Sequence, residues 1–340
     1  MSKHPKITVL LAVYNGERFL RQALDSISDQ TFKDYECVII NDGSVDSTAE
    51  ILLDYRDPRF IVVQNGENLG LTSSLNRGLA LARGQYIARM DADDISLPDR
   101  LELQVRYLDV HPEVGAIGGA MEIIDGSGES LGHMGVRVGH EIIKADLLIN
   151  DCSFYSPTAT VRTSLLQQLN GYNESYVYAQ DYDLWWRLSE ISHLESLRKV
   201  LVKHRRHGTS ISQKHRQAQM RLAYIISQNA VQSSLNHQYL DTNAYQRFWW
   251  TYHSRRESLN ITGRELQSKD IRKLWALWEL LASNAARRHV WGPRLAEFGY
   301  YLIQHKYRRA GIQLLGVVRQ QFRQPVAMRR ATRNFILSLQ

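Results

Sequence analysis

Cysteine is almost missing from this chain: Cys37 and Cys152 are the only two in 340 residues. They stand far apart and lack the paired spacing of a metal-ligand set. A disulfide scaffold and a zinc module are thereby excluded, and reduced thiols in a cytosolic setting are expected. Long apolar runs are missing too. No stretch reaches the roughly eighteen apolar residues of a membrane span. The first apolar run, Ile7–Val13, is short and has no small-residue cleavage site behind it. The expectation is a chain that is neither membrane-integral nor led by a signal peptide. Internal repeats and low-complexity tracts are absent. What is present is an apolar share of 44%, enough at this length to bury a sizeable core.

Acidic residues are scarce in one part of the chain only. Residues 213–340 hold 21 basic and 6 acidic side chains, a balance of +15, whereas residues 1–212 hold 21 and 29, a balance of −8. Strand signals also fade beyond residue 213, where only Pro293 and Pro325 interrupt. Two modules follow, 1–212 and 213–340, with different partners.

The first module reads as alternating strands and helices. Ile7–Val13 is a strand closed by the turn signal Asn15-Gly16. Phe19, Leu20, Ala23, Leu24 and Ile27 then fall at helical spacing. Tyr35–Ile40 is a nearly continuous apolar strand, as expected where both faces are buried. A helix over about 46–55, a strand Phe60–Gln64, a helix Leu71–Arg83 stopped at Gly84 and a strand Tyr86–Met90 complete the series. This rhythm predicts a doubly wound, parallel α/β sheet with right-handed crossovers. Beyond it, a helix Asp99–Val110, strands Val114–Ile124, Pro157–Arg162 and Leu197–Lys203, and helices over Thr163–Leu169 and from about Tyr178 are expected.

Polar residues cluster just after the strands. Asp91, Asp93 and Asp94 end the fourth one, and three carboxylates so close repel unless cations compensate them. Asp91-Ala92-Asp93 suits two oxygen ligands of a hard divalent ion such as Mg²⁺ or Mn²⁺; a solvated turn capping the next helix is the plainer alternative. Tyr14 suits stacking on a planar base, or core burial. Asp42 suits a pyrimidine ring N–H, or a turn. Asp181, at a helix start, suits a general base or an N-cap. His207 suits a nitrogen ligand for the metal of Asp93, or a solvated basic loop. In open α/β sheets such strand ends form the ligand crevice.

Together these residues resemble a known family. The stretches Ile7–Gly16, Ser28–Phe32, Asn41–Thr48 and Asn68–Gly70 are similar to the family 2 glycosyltransferases. So are Asn76–Leu79, Gly84–Asp94, Pro98–Arg100, Gln180–Trp185 and His204–Ser212. The motifs occur in family order over about residues 5–212. The resemblance implies a GT-A fold and an inverting, metal-dependent transferase using a nucleotide diphosphate sugar. It further implies that Ala12, Tyr14 and Asp42 line a uracil pocket with Glu17 nearby. Asp91 would reach ribose and metal, Asp93 would be the main metal ligand, Asp181 the base, and His207 would close over the diphosphate. Ala12 stands where proline is frequent, Asn41 replaces a frequent Asp, and Gln180 replaces a frequent Glu. Surface-polysaccharide assembly on a lipid-linked acceptor is the setting the family most often implies. A haloacid-dehalogenase phosphatase shares only the Asp-x-Asp pair. A pyrophosphorylase would need a Gly-rich basic loop where Tyr14-Asn15-Gly16-Glu17 stands. A catalytically inactive nucleotide-sugar-binding module conflicts with intact Asp93, Asp181 and His207.

The second module mixes arginines with aromatic stretches such as Phe248-Trp249-Trp250 and Trp275-Ala276-Leu277-Trp278. Those aromatics form the core of a helical domain, or part of this surface rests on an anionic membrane. No nucleic-acid motif accompanies the charge, so no nucleic-acid partner is expected.

Overall fold

The computed structural model describes residues 4–148, 150, 154–208, 214–234, 245, 246 and 249. The expected alternation is present: β1 (Ile7–Val13), α1 (Leu20–Ser28), β2 (Tyr35–Asn41), α2 (Thr48–Asp54), β3 (Phe60–Gln64), α3 (Leu71–Leu81) and β4 (Tyr86–Asp91). β1 lies between β2 and β4, parallel to both, and β3 pairs parallel with β2. Every residue of β2 is buried, while β3 at the sheet edge is half exposed. Leu20, Ala23, Leu24 and Ile27 form the buried stripe of α1, one or two turns apart as an amphipathic helix requires. They meet Ile7, Val9, Leu11 and Val13 of β1 in one apolar cluster. Each of the Leu, Ile and Val side chains contributes about 1.5–3 kcal/mol on burial.

The sheet then becomes mixed. Its order is β3-β2-β1-β4-β8-β6-β9-β5, with β7 on β6. The added strands are β5 (Ile95–Ser96), β6 (Val114–Ile124), β7 (Ser130–Met134), β8 (Thr160–Arg162) and β9 (His193–Arg205). Helices α4 (Arg100–Val110), α5 (His140–Leu147), α6 (Thr163–Gln168) and α7 (Gln180–Ile191) connect them, and α8 (Arg216–Ser234) follows. The architecture is the expected α/β one. Three elements have no counterpart in the sequence reading: β5 is two residues long, β7 is exposed and lacks alternation, and α5 is short. The strand expected from Pro157 begins at Thr160 instead. Ser156–Thr158 form a 3-10 turn in which the Thr158 hydroxyl accepts from Gly119 N–H at 3.0 Å and donates to Tyr155 C=O at 2.8 Å.

The chain falls into two units, Met1–Leu147 with Asp151–Ala223, and Leu148–Asn150 with Tyr224–Gln340; the site described below belongs to the first. Membrane contact through residues 213–340 is an expectation that lies for the most part outside the described residues. Among those described, no helix is long and apolar enough to cross a membrane. Cys37 is buried in β2, and burial pushes its thiol up, which makes it inert.

A polar network fastens the end of the sheet away from the site. Glu36 accepts from the Thr8 hydroxyl at 2.8 Å and from Arg83 N–H at 2.7 Å, and Gly84 N–H donates to Thr8 Oγ1 at 2.9 Å. Gly84 is pressed so closely on β1 that a Cβ there would sit 2.3 Å from the Thr8 nitrogen and 2.6 Å from the Ile7 carbonyl carbon. Backbone cannot swing aside as a side chain does. Gly84→Ala is expected to destabilise the chain by about 1–3 kcal/mol, seen as a lower midpoint in chemical denaturation; an unchanged midpoint would show that the loop between α3 and β4 can move away from β1 there.

Candidate active site

Parallel register brings the polar residues together. Ala12 pairs with Ile40 on one side and Asp91 on the other, and Val13 pairs with Asn41. The carboxyl ends of β1, β2 and β4 therefore finish at one level, so Tyr14, Asp42 and Asp91 share one sheet edge. Tyr14 is 49% exposed and is not a core residue; its ring is open to a ligand. Glu17 accepts from Ser47 N–H at 3.1 Å and its own N–H donates to Asp46 at 3.1 Å, which ties the loop after β1 to the start of α2. Asp42 is buried and takes up three protein donors: Leu69 N–H and Gly70 N–H, both at 2.9 Å, and Asn65 Nδ2 at 2.7 Å. It thus anchors the loop that leads into α3. The turn after β2 is held instead by Asn41, whose Oδ1 accepts from Ser44 N–H at 3.2 Å.

The acidic cluster is compensated residue by residue. Asp91 is ion-paired to the guanidinium of Arg89, two positions earlier on β4. Asp93 Oδ2 lies 2.8 Å from His207 Nε2. Asp94 is fully buried, with His204 Nδ1 at 3.1 Å from both its oxygens and Arg205 N–H donating at 2.9 Å. The two-residue strand β5 makes this possible. Starting one residue after Asp94, it pairs antiparallel with β9 at Ile95–Lys203 and Ser96–Val202, which delivers the end of β9 to the acidic turn. Arg205 secures the junction: Nε donates to Asp93 C=O at 2.9 Å, Nη2 to Gln22 at 2.7 Å, and its guanidinium lies over the Phe19 ring, which also packs against His207.

Asp181 sits in the first turn of α7, where the helix dipole favours a carboxylate. Its Oδ1 accepts from Tyr182 N–H and its Oδ2 from the Ser156 hydroxyl, both at 2.8 Å. The buried Arg89 and Tyr172 each lie within electrostatic reach of both Asp91 and Asp181, so base candidate and acidic turn share one neighbourhood. Burial pushes the Tyr172 hydroxyl up to about 12, against the pull of Arg89, and keeps it protonated.

Comparison with known proteins gives the family. The family model described as Glycosyl transferase family 2 matches residues 8–169. An uncharacterized glycosyltransferase of Haemophilus influenzae is 34% identical over 247 residues, covering 69% of this chain and 76% of that protein. The putative glycosyltransferase EpsE of Bacillus subtilis is 34% identical over 195 residues, 56% of this chain and 69% of that one. The chain belongs to the family 2 glycosyltransferases. Among solved structures, S. aureus TarS 1–349 in complex with UDP-GlcNAc superposes with a TM-score of 0.58 at 18% identity, over 94% of this chain and 91% of that one. The mannosyltransferase PcManGT of Pyrobaculum calidifontis, in complex with GDP-Man and Mn²⁺, gives 0.51 at 17% identity, over 95% and 89%. Both share the fold of this transferase.

The metal expected from sequence can be tested against these side chains. Asp91, Asp93 and His207 do not converge on one point, and among the described residues no three His, Cys, Asp or Glu side chains gather closely enough to hold a metal. The Asp93 carboxylate and the His207 imidazole do face each other, and a divalent ion bound chiefly by a diphosphate needs only one or two protein ligands. The donor set therefore fits an ion that arrives with its nucleotide.

Sequence reasoning left three residues unassigned. Arg89 is a charge in an otherwise apolar buried strand, itself a signal, because arginine is almost never fully buried without a partner. Ser156 and His204 carried no such mark. Burial alone would lower the His204 imidazole, but the Asp94 carboxylate outweighs burial and holds it up at about 9. A raised basic group stabilises the fold fully below its ordinary value near 6.5 and ceases to as pH climbs through about 9. Melting temperature of the transferase should thus fall as pH rises from 7 to 9.5, and His204→Ala should lower it at pH 7 and flatten that slope. An equal slope in both proteins would assign the pH dependence elsewhere.

Proposed function

We propose that this family 2 transferase moves a sugar from a uridine diphosphate sugar to an acceptor hydroxyl, with inversion and with help from Mn²⁺ or Mg²⁺. The observation that carries the reading is the convergence at one sheet edge: an exposed ring for a base, an acidic turn for a diphosphate, and a helix-start carboxylate beside them. Tyr14 would stack on the uracil and Ala12 would floor its pocket. Asp42 would offer its remaining lone pairs to the ring N–H, held in place by Asn65 and the loop before α3. Asp91, fixed by Arg89, would meet the ribose. Asp93 and His207 would hold the ion, which when bound neutralises charge growing on the leaving diphosphate.

Asp181 takes the proton of the acceptor hydroxyl as its oxygen bonds to the anomeric carbon. The bond from that carbon to the phosphate oxygen breaks, and uridine diphosphate leaves with the electron pair. A single displacement inverts the centre. The nearest further carboxylate on α7, Asp183, is ion-paired with Arg187 at 2.7 Å and so is not poised as a second nucleophile. TarS, which shares the fold, is solved with UDP and with UDP-GlcNAc, which makes uridine nucleotides the first choice of donor. A lipid-linked saccharide on the cytoplasmic face is the proposed acceptor, with the basic residues 213–340 holding the enzyme to that surface.

A panel of nucleotide sugars scored by nucleotide release tests the donor. Asp181→Asn, nearly isosteric but unable to take a proton, should cut transfer by about 10²–10⁴-fold while calorimetry shows uridine diphosphate still bound. Asp93→Ala should abolish transfer and remove the dependence of uridine diphosphate affinity on Mn²⁺. Equal affinity with and without Mn²⁺ in the wild type would sink the metal reading, and an α-linked product from a UDP-α-sugar would sink inversion.

A further inference from the structure

The hydrogen bonds leading inward from Asp181 can run in only one direction. The indole Nε1 of Trp185 donates and never accepts, and it lies 3.1 Å from Ser156 Oγ. Ser156 Oγ lies 2.8 Å from Asp181 Oδ2. Because the serine oxygen receives the indole proton, its own single proton goes to the carboxylate. Trp185 and Ser156 are both buried, so bulk water does not compete for these bonds. Asp181 and Trp185 stand four residues apart on α7, one above the other on a single helix face. Phe154 meets the Trp185 ring edge-on, centroids 5.0 Å apart, and keeps the indole from turning. Ser156 enters from the 3-10 turn Ser156–Thr158, whose Thr158 hydroxyl is tied to β6 through Gly119.

We propose that Ser156 is the positioning residue of the base: the relay Trp185 to Ser156 to Asp181 fixes which lone pair of Asp181 is left to face the acceptor hydroxyl. The inference rests on the reading of Asp181 as the base. Oδ1 is held by Tyr182 N–H and Oδ2 by Ser156, so the carboxylate is clamped at both oxygens and cannot rotate about its Cβ–Cγ bond without breaking one of them. A base so clamped meets its substrate without reorganisation, which is where a positioned group exceeds a free one. Loss of the hydroxyl leaves Trp185 N–H without its acceptor and frees one side of the base. Substrate binding at the strand ends is left alone.

The test uses the full chain with Ser156→Ala, Ser156→Thr, Asp181→Asn and the double variant Ser156→Ala/Asp181→Asn. UDP-glucose, UDP-galactose and UDP-N-acetylglucosamine are offered with Mn²⁺, and the one the wild type turns over fastest serves throughout. Ser156→Ala is expected to lower kcat about 10- to 100-fold with the donor KM within about twofold, and Ser156→Thr, which keeps the hydroxyl, to recover most of the loss. The indole 15N–1H resonance of Trp185, assigned with Trp185→Phe, reads the relay with no substrate present. Asp181→Asn should move that resonance when Ser156 is present and leave it in place in the Ser156→Ala background, a double-mutant cycle for coupling through the hydroxyl. Equal movement in both backgrounds, or wild-type kcat in Ser156→Ala, overturns the proposal. Wild-type turnover in Asp181→Asn overturns the reading of Asp181 as the base, and the proposal with it, by a result the other variants cannot mimic.

Discussion

Three carboxylates within four residues set the constraint on which the rest of this site depends. Two unit charges at roughly 5 Å repel by about 3 kcal/mol at an effective dielectric near 20, far above thermal energy. The protein meets the repulsion with a side-chain partner of its own for each carboxylate: the Arg89 guanidinium for Asp91, the His207 imidazole for Asp93 and His204 for Asp94. Burying Asp94 completely is tolerable only because His204 and the Arg205 N–H satisfy it. An acidic turn balanced in this way stays folded before any substrate arrives and still presents Asp93 at the edge of the crevice.

That compensation dictates topology. Two of the three partners, His204 and His207, lie more than a hundred positions along the chain, and they reach the turn because β9 is long and β5 pairs with its end. β9 also runs parallel to β6. A strand two residues long thus has an effect out of proportion to its size, since it sets the level at which β9 delivers its histidines. Arg205 then fastens the turn, α1 and the loop after β6 to one guanidinium.

The Asp181 side of the site is organised by different means. α7 presents Asp181 from its first turn, and its partners are neutral donors: a hydroxyl and a backbone N–H. Arg89 stands within electrostatic reach of both carboxylates and so links the two halves of the site. A buried arginine at the end of a parallel strand is costly unless paired. Here Asp91 pairs it, and Arg100 donates to its carbonyl oxygen at 2.7 Å.

Much of this was legible in the residues before any coordinates. Apolar runs such as Tyr35–Ile40 and the helical spacing of Leu20, Ala23, Leu24 and Ile27 encode local structure and burial directly. Parallel pairing then requires that Tyr14, Asp42 and Asp91 finish at one edge. Periodicity could not reveal β5, because two residues have no period, nor the pairing of Asp94 with His204 and of Asp93 with His207, because contacts across 110 and 114 residues leave no local trace. It could not tell whether Tyr14 was buried or exposed, nor that Asp42 reaches over to anchor the loop before α3. Ser156 shows the boundary most plainly. As one serine in Tyr155-Ser156-Pro157 it carries no signal; it becomes a partner of Asp181 only when a 3-10 turn and a helix twenty-five residues later are packed together. Strand order, helix faces and the acidic turn follow from short-range chemistry written in the sequence, whereas hydrogen-bond direction and charge pairing depend on distances that only tertiary packing sets.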